Sequence, residues 1–352
     1  MRTDASGICL AAKQDNKIKT KRRACLVSEE RRWVNRRMTA RRSGADLFEA
    51  ARLYYVEGAR QSEIADRLHV SRSNVSRMLR DAREQGVIRF QLSYPAERDA
   101  LWERKLLRAH KSLKAAVVVA EPPPEARIDP LDVASEAAAE WLVEHLDDGQ
   151  RVSIAWGTSV RAAVERVCAR RGYGVDVSQL GGDIDVLPTR SNHDVVRELA
   201  AKLGGTYSYA NVPAVVGSAA EARELCADAR VAYQLDRACE ADVAIVGVGA
   251  FDRGSNRILL DRARMSWTER ERARARGVVG EICGRFYDRA GRSVELPVDE
   301  RIIGGRTESI ANTVIIAAGA HKATAVAGAL RGRMVTTLVC DRQLARAVMS
   351  TG

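Results

Sequence analysis

The stretch Gln61–Gln85, QSEIADRLHVSRSNVSRMLRDAREQ, has the spacing of two short helices joined by a tight turn. Ile64, Ala65, Leu68, Val70, Val75, Met78 and Leu79 fall where a helix-turn-helix needs apolar residues to pack two helices at a steep angle. Ala65 is small enough to let the helices approach closely. Ser71 stands just before the second helix, where a hydroxyl can cap free amides. His69 occupies the turn position often filled by Gly, and His tolerates a left-handed backbone better than a β-branched residue does. The polar face that follows, Arg72, Ser73, Asn74, Ser76, Arg77 and Arg80, carries groups able to reach base edges and phosphates in a major groove. The bland alternative is a helical hairpin with a solvated basic face; turn, cap, packing and polar face together favour operator DNA as the partner.

Outward from this segment, Ala45–Glu57 reads as an amphipathic helix ended by Gly58. Gly86 closes the second helix, and Val87–Leu92 reads as a short strand or wing. The expectation is a winged helix-turn-helix domain over 41–95, then a linker helix over 96–114 (Ala96–Leu113) offering a dimer contact. From Ala115 apolar runs alternate with helical patterns. Strands are expected at Ala115–Ala120, Arg151–Ala155, Val175–Leu180, Val243–Val248, Val314–Ala318 and Val335–Cys340. Helices are expected at Ala134–Leu146, Ser159–Arg171, Asn192–Leu203, Trp267–Arg276 and Lys322–Gly332. Such alternation predicts an α/β domain over 115–352 with a parallel sheet covered on both faces.

The 352 residues suffice for two or three domains. No run of about 18 apolar residues occurs, and the N-terminus has no apolar stretch of signal-peptide type. The seven cysteines are an odd number without a CxxC pair, which points to reduced thiols in a cytoplasmic protein rather than disulfides or a zinc site. The net charge of +11 is uneven: residues 1–42 carry thirteen Lys and Arg against four acids. This leader (1–40 in the domain division) reads as disordered. It is either an arm that neutralises phosphates or a segment upstream of a start at Met38.

In parallel sheets the ligand lies beyond the carboxyl ends of the strands. Three turns there carry suitable chemistry. Gly157, Thr158 and Ser159 offer close backbone approach, hydroxyls and helix amides to a phosphate. Gly247 and Gly249 follow an apolar strand without completing GxGxxG, so no dinucleotide site is expected. Gly319-Ala320-His321-Lys322 places Lys322 at a helix start, able to pair with an anion. Each can also be an ordinary tight turn or a solvated lysine. Glu281 and Asp288, in GEICGRFYD, are carboxylates able to accept sugar hydroxyls, with a surface turn as the other reading of Asp288. His193 and His321 lack the spacing of metal ligands and read as structural; no cofactor or metal is expected. No GxSxG marks a hydrolase triad.

Several blocks in register resemble the SorC family of bacterial sugar-responsive transcription regulators, also grouped with some DeoR proteins. They are SEIADRLHVSRSNVSRMLRDAREQGVI, SIAWGTS, QLGGDID, ADVAIVGVGAF, VVGEICGRFYD, DERIIG and AAGAHKATAVAGALRGRMVTTLVCD, and they cover about residues 45–350. The resemblance implies an N-terminal helix-turn-helix and an effector domain similar to sugar-phosphate isomerases, glucosamine-phosphate deaminases and CoA transferases. It further implies a homo-tetramer regulating a carbohydrate operon and binding a phosphorylated sugar or polyol. By position it places the phosphate loop on Gly157, Thr158 and Ser159. Sugar contacts fall on Gln179, Glu281 and Lys322, and Gly247 and Gly249 shape the floor. Two positions depart from the family: Glu281 stands where many members have Asp, and Ala320 replaces the second Gly of a pair. Both bear on which effector fits. The competing class is a sugar-phosphate isomerase or deaminase carrying a DNA-binding domain, with Asp183, Asp185 or Glu281 as acid and base. A third reading, a DNA-binding protein without a ligand, leaves the three polar turns unexplained.

Overall fold

The computed structural model describes residues 43–88, 90, 94–184 and 191–351. They fall into two compact units, one ending at Leu92 and the other starting at Ser93. The basic leader lies outside the described residues.

In the first unit, helix Gly44–Ala51 is capped by the Ser43 hydroxyl, which accepts from the Asp46 amide at 3.2 Å. The helix runs on into one π turn, Arg52–Val56, and Gly58, at φ 69°, ends it. Helix Gln61–Arg67 turns at His69, whose φ of 52° is the left-handed conformation. Ser71 then caps helix Arg72–Glu84, its hydroxyl accepting from the Asn74 amide at 3.2 Å. Ile64 and Ala65 from one helix meet Val75, Met78, Leu79 and Ala82 from the next, over Leu47, Ala50 and Leu53 of the first. Of the expected wing, Val87, Ile88 and Phe90 form no strand, and the rest lies outside the described residues. A lone extended run has no ladder to join here, since among the described residues this unit contains no strand.

Among its described residues the second unit carries ten strands: β1 Ala115–Val119, β2 Arg151–Ile154, β3 Asp176–Gln179, β4 Thr206–Ser208, β5 Val243–Gly247, β6 Gly249–Ala250, β7 Val278–Ile282, β8 Arg285–Asp288, β9 Asn312–Ala317 and β10 Thr337–Asp341. Seven form one all-parallel sheet in the order β1-β10-β9-β5-β2-β3-β4. Val152, Ile154, Val177 and Ile245 face helices Pro130–His145, Thr158–Arg166 and Asn192–Leu203. Val118, Val246, Ile315 and Leu338 face the other side, where Leu106, Val326 and Leu344 bring in helices Ala100–Ala109, Ala323–Arg331 and Arg342–Ser350. Burial on both faces explains why these strands read as short continuous apolar runs.

Helix Ala100–Ala109 is shorter than the expected Ala96–Leu113. The Asp99 carboxylate caps it, accepting from the Leu101 and Trp102 amides at 3.1 and 3.2 Å. Arg98 ahead of it bridges to Val119. Its Leu106 is fully buried, so the helix packs into the core of the second unit. The helix expected at Ser159–Arg171 spans Thr158–Arg166. A three-stranded antiparallel sheet, β6-β7-β8, was not legible beforehand. Its hairpin turns at Cys283 and Gly284, φ 52° and 78°, the signature of a tight hairpin turn.

Candidate DNA-binding and effector sites

On helix Arg72–Glu84 the apolar residues Val75, Met78, Leu79 and Ala82 are buried, which turns Arg72, Ser73, Ser76, Arg77 and Arg80 to the exposed side and leaves Asn74 half-buried. The Ser73 hydroxyl lies 3.0 Å from that of Ser71, and the Arg80 Nε lies 3.8 Å from Glu84. The charged groups left over, Arg72 and Arg77, project near the helix start and one turn and a half on, where a recognition helix meets base edges.

The second site follows from topology. From β2 the chain proceeds through β3 to β4 on one side, and from β5 through β9 to β10 on the other. The order therefore reverses between β2 and β5, which opens a crevice at their carboxyl ends. A cavity of about 280 Å³ lies there. Four helices begin at its rim, at Pro130, Thr158, Gly254 and the Ala320–Lys322 turn leading into Ala323–Arg331. Helix starts present unsatisfied amides and the positive end of the helix dipole, so their convergence favours an anion. Arg253, His321 and Lys322 line the same cavity and add side-chain cations or donors.

Beside it a smaller recess is lined by Gly157, Ser159, Gly247, Gly249, Glu281 and Lys322. Gly157, at φ 137°, ends the strand-to-helix turn in a conformation a side chain would strain. Gly249 pairs with Glu281 across β6 and β7, and a Cβ there would collide with the Glu281 carboxylate. Glu281 is 5 % exposed. Burial pushes its carboxyl up, against the pull of the Gly284 amide, Asn256 and the Lys322 charge. The Gly284 amide donates to it at 2.8 Å. Lys322 is pushed down by burial, and Glu281 opposes that shift. His321 is likewise lowered by burial, then by Lys322 and Arg253, which favours the neutral imidazole.

Seven of the eight sequence-derived effector positions thus line these two adjoining recesses. Gln179 does not. Ser153 and Ser178 hydroxyls meet at 2.9 Å and bond toward helix Ala229–Cys239. Strand alternation therefore turns Gln179 to the opposite face. There it is 1 % exposed, with neither amide atom hydrogen-bonded among the described residues. Asp288 closes the turn after β8, accepting from the Ala290 and Arg292 amides at 2.9 Å each. Asp183 accepts from the Asn192 amide at 3.3 Å, and Asp185 lies outside the described residues. Arg253, Ser255 and the Asp129–Leu131 turn escaped sequence reading. They come from loops with no apolar period, and only the sheet order brings them together. His321, read as structural, lines the cavity. Among the described residues no cluster of His, Cys, Asp and Glu could hold a metal ion.

The family described as a putative sugar-binding domain matches residues 95–350, and sigma-70 region 4 matches residues 51–85. The chain belongs to this sugar-binding family, that of the SorC/DeoR-type transcriptional regulators. It is 29% identical to the deoxyribonucleoside regulator of Bacillus subtilis (strain 168) over 307 residues, 86% of this chain and 96% of that one. It is 27% identical to the sorbitol operon regulator of Klebsiella pneumoniae over 311 residues, 86% of this chain and 97% of that one. The crystal structure of full-length SorC from Klebsiella pneumoniae superposes with a TM-score of 0.64 at 26% identity, covering 86% of this chain and 98% of that one.

Proposed function

We propose that this transcriptional regulator binds operator DNA through helix Arg72–Glu84 and that a phosphorylated sugar or polyol in the β2/β5 crevice modulates that binding. The observation that supports the effector most is the convergence of four helix starts with Arg253 and Lys322 on one cavity. A phosphate there gains amide donors, the helix dipoles and two cationic side chains. Thr158 and Ser159 add hydroxyls to the phosphate seat, and Glu281 supplies an acceptor for sugar hydroxyls. About 280 Å³ lies at the small end of ligand pockets, which suits a single sugar phosphate rather than a nucleotide. The relatives' names, a deoxyribonucleoside regulator and a sorbitol operon regulator, support a carbohydrate operon as the target. We read the protein as a cytoplasmic homo-tetramer; no helix among the described residues is long and apolar enough to cross a membrane.

The site is read as a sensor and not as an enzyme. A carboxyl raised by burial such as Glu281 has the property of a general base. The DNA-binding unit, however, needs only that ligand occupancy differ between the two states of the protein. Thermal shift against a panel of sugar phosphates tests the effector, because a ligand that binds the native state raises its apparent stability. The sugar phosphate that shifts the melt is expected to change operator affinity and to be recovered unchanged after incubation. A panel with no shift sinks the effector reading; conversion to a new sugar phosphate sinks the sensor reading.

A further inference from the structure

The chain enters the second unit at Ser93, so the covalent path from the crevice to the recognition helix runs through the residues just after it. Those residues are fastened to the sheet. The Asp99 amide donates to the Val118 carbonyl at 2.7 Å, and the Ala120 amide donates to the Glu97 carbonyl at 2.8 Å. Arg98 bridges antiparallel to Val119 and pairs with Glu103 at 2.8 Å. Glu103 also accepts from the Val118 amide at 3.2 Å. The segment therefore runs against the carboxyl end of β1, and Asp99 caps helix Ala100–Ala109.

Beside β1 lies β10, where Val119 and Asp341 are register partners. Asp341 ends β10 and Arg342 begins the last helix. The two side chains hold different neighbours. The Asp341 carboxylate accepts from the Gly319 amide at 2.8 Å, and Gly319 lines the crevice cavity with His321 and Lys322. The Arg342 guanidinium stands 2.7 Å from the Asp99 carboxylate and 3.6 Å from that of Glu121. Helix Arg342–Ser350 packs against both the Ala320–Lys322 turn and helix Ala100–Ala109. Its Leu344, Ala345 and Val348 share a core with Leu106.

Two features make this junction responsive. Asp341 is 1 % exposed, yet its Oδ2 has no hydrogen-bond partner among the described residues. A buried acceptor without a donor is costly, so the one amide from the crevice matters to how this carboxylate is held. Gly319 also stands so close to His321 that a Cβ on it would meet the imidazole. An anion seated against Lys322 therefore acts on the turn whose amide Asp341 holds.

We infer that Asp341 and Arg342 couple the crevice to Asp99, so that effector occupancy is passed to the segment leading to the DNA-binding unit. The inference rests on the effector reading and adds its route. Coupling needs an element that both sites bias, and helix Arg342–Ser350 touches both.

The test uses the full-length protein with Arg342→Gln, and with Asp99→Asn, which keeps a helix cap and removes the charge. The probes are inorganic phosphate, ribose 5-phosphate, glucose 6-phosphate, fructose 6-phosphate and sorbitol 6-phosphate. Neither residue lines the two recesses, so by calorimetry both variants are expected to bind the active probe within about threefold of the parent. In the parent that probe is expected to change operator affinity, read by fluorescence anisotropy, by about 5–150-fold. In either variant the change is expected to fall below about twofold. Hydrogen exchange gives a second reading: the probe should slow exchange at both 318–323 and 97–104 in the parent, and at 318–323 alone in the variants. Variants that keep the parental change in operator affinity, or the protection of 97–104, overturn the inference alone. A panel in which no probe binds overturns the effector reading, and the inference with it.

Discussion

The Arg270 guanidinium donates to the Asp252 carboxylate at 2.8 Å, tying helix Trp267–Ala275 to the turn that carries Arg253 into the crevice. Asp252 is held at φ 56°, an uncommon conformation outside glycine. Its amide donates to the Asn256 side chain at 2.7 Å, and Asn256 in turn stands beside Glu281. Arg274 also reaches the Asp252 carboxylate. One salt-bridged turn therefore fixes both Arg253 and the neighbour of the buried carboxyl.

Removing that strap is expected to loosen the crevice. Arg270→Ala deletes a largely buried, charge-assisted contact, with an expected loss of about 1.5–3 kcal/mol. The urea midpoint should fall with an unchanged slope, and the effector's thermal shift should shrink. A variant with both quantities at the parental value refutes the role given to Arg270.

The crevice itself is tested by charge. Thr158→Asp puts a carboxylate where the phosphate is proposed to sit. Two like charges about 4 Å apart repel by roughly 4 kcal/mol at a partly screened site, about a thousandfold in affinity. Lys322→Ala removes a cation and should weaken effector binding by about 1.5–3 kcal/mol. Both variants should still footprint the operator while losing its modulation by the effector. Calorimetric titration with that effector reads the loss, and an unimpaired Thr158→Asp moves the phosphate elsewhere.

For the DNA face, Arg77→Ala or Asn74→Ala should weaken operator binding by about 1–3 kcal/mol and relax base preference. Arg77 lies on the exposed side, so the melting temperature of Arg77→Ala should hold. Footprints identical to the parent's would reassign the recognition surface.

Asp299 gives a pH signature. Burial raises its carboxyl to about 6, above the unfolded value near 3.9. Between those values the folded chain holds a proton that the unfolded chain releases. This contribution is complete below about pH 4 and is lost as pH rises through about 6. Asp299→Asn should flatten that part of the stability profile while keeping the acceptor for the Leu296 amide, bonded at 2.9 Å. Urea midpoints at half-unit intervals from pH 4 to 7 measure it, and an unchanged slope assigns the proton to another group.

Much of the local structure was legible because its causes are local. Ser71 caps its helix, His69 takes the left-handed turn, and Ile64 to Leu79 follow the helical period. Asn192–Leu203 was placed to the residue, since Ser191 and Gly204 mark both ends. The apolar strands and their glycine turns announced a parallel sheet, and with it the edge where Gly157, Gly249 and Lys322 lie. Helices Ala219–Ala227 and Ala229–Cys239 were not legible. They fully bury only Ala222 and Ala238, with Leu225, Val231 and Leu235 partly covered, so no continuous apolar run marks them in the sequence.

The sequence by itself therefore determined the two kinds of unit, the helix-turn-helix and the turns at the strand ends. Those are written in periods, caps and glycines that act within about a dozen residues. Tertiary structure alone decided that β2 and β5 lie side by side with the chain diverging from them. That order brings Arg253, more than ninety residues from Thr158, into the same cavity, and leaves Gln179 out of its lining. Strand order is set by how apolar faces of distant segments pack together, and no local pattern records it.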